Sequence, residues 1–170
     1  MDDTKIHESR LIPIRSHQDN RGILFFSDLE IPSSLLKVKS RLIYSRNPKK
    51  GTFRGIHTQI GKQGEAKFVF CAKGSILDFS VDLRTSSESY LVSQSIHLES
   101  ESGILFLPSG IGHGFQTLED ETEVTYLVLG ESSIENYRRW NYQSKDFQFN
   151  LPLEISQISF DDQNAPFFNS

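Results

Sequence analysis

The sequence has a single cysteine, no excess of basic residues and no long apolar run. Cys71 is the only cysteine among 170 residues, so the chain cannot form an internal disulfide, and this composition fits a reducing compartment. Its 18 Lys and Arg are outnumbered by 22 Asp and Glu, which gives a formal net charge of −4. Nothing resembles the basic stripe that nucleic acids require, so no nucleic-acid partner is expected.

The sequence also lacks the features of membrane and secreted proteins. Apolar residues are never continuous over the ~20 positions that a membrane-spanning helix needs. The first residues, Met1–Lys5, begin acidic and lack the basic and apolar parts of a secretion signal. These absences predict a cytoplasmic protein without a membrane partner. The length suits one domain over residues 1–170, since a domain of this size buries roughly 70% of its unfolded surface.

Helical spacing of apolar residues is scarce, whereas thirteen Phe and many short apolar runs are present. This spacing of apolar residues is typical of a chain with many short strands. Strands are predicted at Ile23–Ser27, Ser40–Ser45, Thr52–Thr58, Ala66–Ala72, Ser75–Leu83, Leu91–Leu98, Gly103–Leu107, His113–Thr117 and Glu123–Val128. Short helical turns are predicted at Ile31–Leu36 and Ser132–Tyr137, and residues 151–170 are predicted to be irregular. The sum predicts an all-β barrel or double-sheet roll.

Two segments about fifty residues apart carry polar residues of the kind found in active sites. Gly51 is followed after five residues by His57 and then Gln59, and Gly103 is followed after four residues by Pro108-x-Gly110-x-x-His113. These segments resemble the two halves of the cupin signature, and cupins are jelly-roll barrels. Metal-binding cupins have a second histidine where Gln59 stands, and an amide oxygen replaces imidazole poorly toward a transition metal. No metal is therefore expected.

A series of motifs extends over nearly the whole chain. In order, they are Asp19-x-Arg21-Gly22, Arg54-Gly55-Ile56-His57-x-Gln59, Lys67-Phe68-Val69, Gly74 with Asp78 and Val81–Arg84, Leu107–Phe115, and Glu123-x-x-Tyr126. This series resembles the dTDP-4-dehydrorhamnose 3,5-epimerase family from about Asp19 to Pro166. The resemblance implies a cupin-type double-stranded β-helix, or jelly roll, with short helices. It also implies an isomerase that inverts C3 and/or C5 of a dTDP-4-keto-6-deoxyhexose without a cofactor, and a homodimer with residues 1–30 in the dimer contact.

The resemblance assigns catalytic roles to four residues. His57 matches the base that removes a proton beside the ketone, and an unperturbed imidazole titrates near ~6.5. Asp162 matches the carboxylate that orients this base, with Asp161 as the alternative. Tyr126 matches the acid that returns a proton to the opposite face, and Lys67 matches the lysine that stabilises the enolate oxygen.

Four further residues match substrate-binding positions. His113 is expected on the cavity wall near the enolate oxygen, and Arg54 and Gln59 are expected to contact the ligand. Arg21 matches a phosphate contact that reaches across the dimer interface, where a forked guanidinium suits pyrophosphate.

The sequence departs from the family at three places. Residues 127–133, after Tyr126, contain no aromatic residue, whereas the family has one there that helps to position the sugar and influences which carbon is inverted. In addition, Phe26 stands where the family often has a glutamate, and Tyr44-Ser45-Arg46 replaces an Asn-x-Ser pattern.

Several alternatives stay open on the sequence alone. His57 fits a core histidine bonded to a backbone carbonyl, His113 fits a turn cap, and Tyr126 fits a packing residue with its hydroxyl at the rim. The alternative functions are a single-carbon epimerase of the same family, a sugar-nucleotide-binding cupin without catalysis, and a metal-dependent cupin isomerase or oxygenase. The remaining histidines, predicted to lie at the surface, are His7, His17 and His97.

Overall fold

Two five-stranded antiparallel sheets pack against each other and share a core. The structure is a computed structural model that describes residues 4–61 and 64–169, so residues 1–3 of the predicted arm and residue 170 of the predicted tail lie outside it. Its strands are β1 (Arg10–Ile12), β2 (Arg15–Asp19), β3 (Gly22–Phe26), β4 (Ser40–Asn47), β5 (Phe53–Gln59), β6 (Ala66–Lys73), β7 (Ser75–Asp82), β8 (Ser93–Glu99), β9 (Ile104–Leu107), β10 (Ile111–Thr117), β11 (Thr122–Leu129) and β12 (Tyr137–Arg139). The first sheet has the order β1-β9-β6-β11-β4 and the second β12-β5-β10-β7-β8, while β2 and β3 form a separate hairpin.

The all-β class is confirmed, and each predicted strand overlaps an observed one. The predicted turn at Ile31–Leu36 contains a 3-10 helix at Ser33–Leu35. The predicted short turn at Ser132–Tyr137 is present, because the backbone N–H groups of Asn136 and Tyr137 both donate to the carbonyl oxygen of Ser133. The turn ends at Tyr137, where backbone pairing of β12 with β5 begins. None of the helices in the part of the chain that the structure describes is long and apolar enough to span a membrane.

The two faces of the second sheet bury different apolar clusters. Ile76 of β7 belongs to the core shared with the first sheet, where Cys71 is fully buried and burial raises the pKa of its thiol to about 11. Phe79 points to the other face of the sheet, because side chains alternate along a strand. There it packs with Phe147 and with apolar residues of the C-terminal segment. This packing holds the short helix α1 (Phe160–Gln163) close to β5.

A pair of glycines brings β5 and β10 close together beside the cavity described below. A Cβ on Gly55 would lie 2.5 Å from Cα of Gly114, and a Cβ on Gly114 would lie 2.6 Å from the carbonyl oxygen of Arg54. The register of the two strands shifts between His113 and Phe115, which is typical of a β-bulge. As a result, His57 and His113 are cross-strand partners although they are far apart in the chain.

Candidate active site

A cavity of about 600 Å³ opens between β4, β6 and β11 of the first sheet and β5, β10 and β12 of the second. This volume is within the usual range for small-molecule sites. Seven of the eight predicted site residues line it, namely Arg54, His57, Gln59, Lys67, His113, Tyr126 and Asp162. Arg21 does not. It lies in the turn between β2 and β3, where its side chain is 85% exposed and pairs with Asp19 at 2.6 Å.

His57 and Asp162 form a dyad at the wall of the cavity. Nε2 of His57 lies 2.7 Å from Oδ1 of Asp162, and the backbone N–H of Gly55 donates to Oδ2 at 3.3 Å. The Ser159 hydroxyl caps α1 by accepting from the backbone N–H of Asp162, which fixes the start of this helix. The carboxylate of Asp161 instead approaches Arg139. Of the two aspartates considered from the sequence, Asp162 is therefore the one in contact with His57.

The environment of Asp162 keeps its carboxyl group ionised. Burial alone raises the pKa of this carboxyl, but the hydrogen bond and charge of His57, together with the Gly55 N–H and Arg139, bring the pKa below its ordinary value. A carboxylate can only accept hydrogen bonds, so Nε2 of His57 carries a proton in this contact. The lone pair of the neutral imidazole is then on Nδ1, which is the form that a general base requires.

Tyr126 and His113 pack against each other on the wall formed by β11 and β10. Their rings meet edge to face with centroids 5.9 Å apart. Burial raises the pKa of the Tyr126 phenol, which therefore keeps its proton. Nε2 of His113 lies 2.6 Å from Oδ2 of Asp78, and burial lowers the pKa of His113 in spite of this carboxylate. A neutral His113 has one N–H, which the contact with Asp78 occupies, and its ring packs against that of Tyr126.

Lys67 and Arg54 bring two cationic side chains to the cavity. Burial lowers the pKa of the Lys67 ammonium, although Glu65 and Asp78 oppose this effect. A lowered pKa makes the ammonium a stronger donor toward a developing negative oxygen. Nε of Arg54 donates to Oδ1 of Asn47 at 2.8 Å, which fixes this guanidinium beside β4.

Gln59 lines the cavity and also tethers the segment that follows β11. Its side-chain NH₂ donates to the Ser132 hydroxyl at 3.4 Å, and its Oε1 accepts from the backbone N–H of Ser133 at 3.5 Å. Within residues 4–61 and 64–169, no three His, Cys, Asp or Glu side chains form a group that could hold a metal ion. At the position where metal-binding cupins have a histidine, the amide of Gln59 thus links β5 to the loop between β11 and β12.

Among the residues of this cavity that were not predicted from the sequence are Tyr137 and Arg139. Both belong to β12, which pairs with β5 so that Tyr137 lies opposite Gln59 and Arg139 opposite His57. The ring of Tyr137 lies 5.6 Å from that of His57, so this strand supplies the aromatic neighbour that residues 127–133 lack. Nε of Arg139 lies 3.0 Å from Oδ1 of Asp162. The strand β12 has only three residues, and an alternation of side chains over three residues is too short to predict a strand from the sequence.

The fold and the cavity together define a cupin-type jelly roll with acid–base side chains at its centre. The chain belongs to the dTDP-4-dehydrorhamnose 3,5-epimerase family, whose family model matches residues 3–170. A dTDP-4-dehydrorhamnose 3,5-epimerase from Sinorhizobium fredii is 35% identical over 109 residues, which are 64% of this chain and 56% of that protein. A dTDP-4-dehydrorhamnose 3-epimerase from Streptomyces niveus is 39% identical over 82 residues, 48% of this chain and 40% of that protein. This chain thus spans about half the length of these relatives.

The fold has a close match among solved structures. The dTDP-4-dehydrorhamnose 3,5-epimerase of Bacillus anthracis, solved with TDP and PPi bound, superposes with a TM-score of 0.85 over 98% of each chain at 25% sequence identity. The predicted family and the predicted cupin-type fold are both confirmed.

Proposed function

We propose that this protein is an isomerase that inverts C3 and/or C5 of a dTDP-4-keto-6-deoxyhexose. The observation that carries the proposal is that one cavity holds an imidazole backed by a carboxylate, His57 with Asp162, together with a protonated phenol, Tyr126. Membership of the epimerase family and the TDP bound to the Bacillus anthracis relative support this substrate class. A proton beside a ketone is acidic because its loss gives an enolate, so the reaction needs only a base, an oxyanion stabiliser and an acid.

Each of these requirements has a candidate side chain. His57 takes the proton from the carbon beside the ketone and becomes an imidazolium, which the Asp162 carboxylate stabilises. The electron pair of the broken C–H bond moves onto the ketone oxygen, where Lys67 stabilises the negative charge. Tyr126 then gives its proton to the opposite face of the same carbon, and the phenolate and the imidazolium return to their resting states by exchange with solvent. The ring of His113 packs against that of Tyr126 and restricts the positions that the phenol can take.

Deuterium incorporation tests this function directly. We expect that the protein, incubated with dTDP-4-keto-6-deoxyglucose in heavy water, will place solvent deuterium at C3, at C5 or at both, because Tyr126, which returns a proton to carbon, exchanges its own proton with solvent between turnovers. Proton NMR of the sugar counts the exchanged positions. One exchanged position identifies the single-carbon epimerase, an activity named for the Streptomyces niveus relative. Binding of the nucleotide sugar without any deuterium uptake would contradict catalysis and leave a sugar-nucleotide-binding cupin.

We also propose a homodimer in which the β2–β3 hairpin of each protomer extends the first sheet of the other. The hairpin exposes the apolar side chains Ile23, Leu24 and Phe26. The strand β4 is at the edge of the first sheet, and its outward side chains Leu42 and Tyr44 are exposed as well. Free edges with apolar side chains are typical pairing surfaces. Residues Arg41, Ile43 and Ser45 of the same strand line the cavity, so a hairpin beside β4 would bring Arg21 of the partner subunit to its rim.

Mixing of two impaired variants, assayed at a low concentration of the nucleotide sugar, tests this arrangement. Arg21→Ala should raise KM for the nucleotide sugar roughly 10-fold to 100-fold through loss of a charged phosphate contact. If Arg21 acts across the interface, then refolding Arg21→Ala together with His57→Ala creates mixed dimers with one complete site, and activity should exceed that of either variant alone. Activity that equals the average of the two separate proteins, or a monomeric mass in solution, would refute the exchange.

We also propose that residues 1–170 act as one domain, because the described strands of both sheets contribute to a shared core. A cytoplasmic location is proposed as well, which the single buried thiol of Cys71 fits.

A further inference from the structure

The proposed base shares its carboxylate partner with an arginine. Oδ1 of Asp162 lies 2.7 Å from Nε2 of His57 and 3.0 Å from Nε of Arg139. Arg139 and His57 are also cross-strand partners, so their side chains leave the same face of the sheet. One carboxylate oxygen therefore lies between two basic side chains.

We propose that Arg139 is a positioning residue that competes with His57 for the Asp162 carboxylate and thereby keeps the base active at lower pH. The proposal rests on the proposed function, because it takes His57 as the general base.

Arg139 acts on the dyad through its charge. Its Nε is buried and donates no hydrogen bond to any of the described residues, in spite of the 3.0 Å approach to Asp162. Its Nη1 lies 2.9 Å from Oδ2 of Asp161, whose side chain is 64% exposed, so solvent screens this second ion pair. The side chain of Asp162 is only 5% exposed, and the charge of Arg139 is among the causes that hold the pKa of this carboxyl down against burial.

The direction of the effect follows from the charges. A general base works only in its unprotonated form. The Asp162 carboxylate stabilises the imidazolium form of His57, and the nearby guanidinium of Arg139 opposes that stabilisation. Arg139 therefore leaves more of the imidazole unprotonated in mildly acidic solution, and removal of its charge should shift the acid limb of kcat/KM to higher pH.

Other ionisable groups surround the dyad and remain in place when Arg139 is replaced. Those that line the cavity are Arg41, Arg54, Glu65, Lys67, His113, Tyr126 and Tyr137, and Asp161 and Asp78 lie just behind it. The ring of Tyr137 also contacts the guanidinium, with 5.5 Å between Cζ and the ring centroid. Because all of these groups are common to both proteins, the difference between two pH profiles isolates the contribution of Arg139.

The test compares kcat/KM across roughly pH 5 to 9 for the full-length wild type and three variants. In Arg139→Gln, the midpoint of the acid limb should rise by about one pH unit, with the plateau at high pH within about threefold of wild type. Arg139→Lys keeps the charge and should keep the midpoint. Arg138→Gln is the matched control, because Arg138 lies on the same strand, is not part of the cavity lining and donates to the backbone carbonyls of Glu135 and Tyr137.

Two results would overturn the proposal. One is an unmoved midpoint in Arg139→Gln, whether or not the plateau or the melting temperature falls, since a purely structural role predicts that outcome. The other is an equal shift in Arg138→Gln. If the wild type acts on no sugar at all, the proposed function fails separately. The pH dependence of the His57 ring signals in NMR spectra of wild type and Arg139→Gln then still tests the inference, with the same direction of shift expected.

Discussion

Replacement of His57 by alanine should lower kcat by ~10²–10⁴-fold or more, because the variant lacks the group that takes the proton from carbon. The rates of inversion and of deuterium uptake into the sugar should both fall to a small fraction of the wild-type rates. Binding of the nucleotide sugar should be largely retained, since Arg54 and Lys67 still line the cavity. The measurement is single-turnover NMR in heavy water, which reports exchange and inversion in the same spectrum.

The controls for this variant separate chemistry from folding. Alanine leaves the buried Asp162 carboxylate without one hydrogen bond, a loss of roughly 1–3 kcal/mol, so thermal unfolding is measured alongside. His57→Asn keeps an N–H donor near that carboxylate but no base, and should be as inactive as the alanine variant. His97→Ala changes an exposed histidine of β8 and should behave as wild type. Deuterium exchange within tenfold of wild type in a folded His57→Ala protein would show that another group is the base.

Replacement of Tyr126 by phenylalanine should separate proton removal from inversion. The variant keeps the ring against His113 and loses only the hydroxyl that donates to the opposite face. We expect inversion to fall about 10²-fold or more, while His57 still removes protons and returns deuterons to the face from which they came. The sugar should therefore gain deuterium without change of configuration. Quantitative NMR of the recovered substrate distinguishes the two isomers and counts the deuterium in each.

A comparable tyrosine elsewhere provides the control for that experiment. Tyr90 lies outside the cavity and is partly exposed, so Tyr90→Phe should leave both rates unchanged. Inversion at the wild-type rate in Tyr126→Phe would show that the phenol is not the acid and that Tyr126 only packs in the cavity wall. Loss of exchange together with inversion would instead mean that the hydroxyl is needed before the proton leaves carbon.

The sequence predicted most of the strands and seven of the residues that line the cavity, for a physical reason. Strands such as Ala66–Lys73 carry apolar runs bounded by glycine and polar residues, which are local signals that a single sequence reveals. The contact between His57 and Asp162 joins residues 105 positions apart and came from a family resemblance, since no local pattern encodes it. The same limit explains why β12, which follows the short turn predicted at Ser132–Tyr137, was not predicted, since its pairing with β5 is non-local.

The short strands near the N-terminus were missed for a related reason. The strand β1 has only three residues, and all five residues of β2 are polar, so neither strand shows a long apolar run or a clear alternation. The strand β1 exists because it pairs with β9, and β2 exists because it pairs with β3. Arg21 remains a prediction, because the site to which it was assigned involves a second copy of the chain.

The origin of Tyr137 affects how substrate range can change in this protein. Because this aromatic side chain comes from a strand hydrogen-bonded to β5, its spacing from His57 is fixed by the peptide backbone and not by the conformation of a loop. Insertions or deletions in residues 130–136 can then alter the cavity wall at Ser132 without moving the ring relative to the imidazole. New sugar preferences should accordingly arise from substitutions on the facing sheet, at Ile43, Ser45 or Val128, and seldom from changes of loop length.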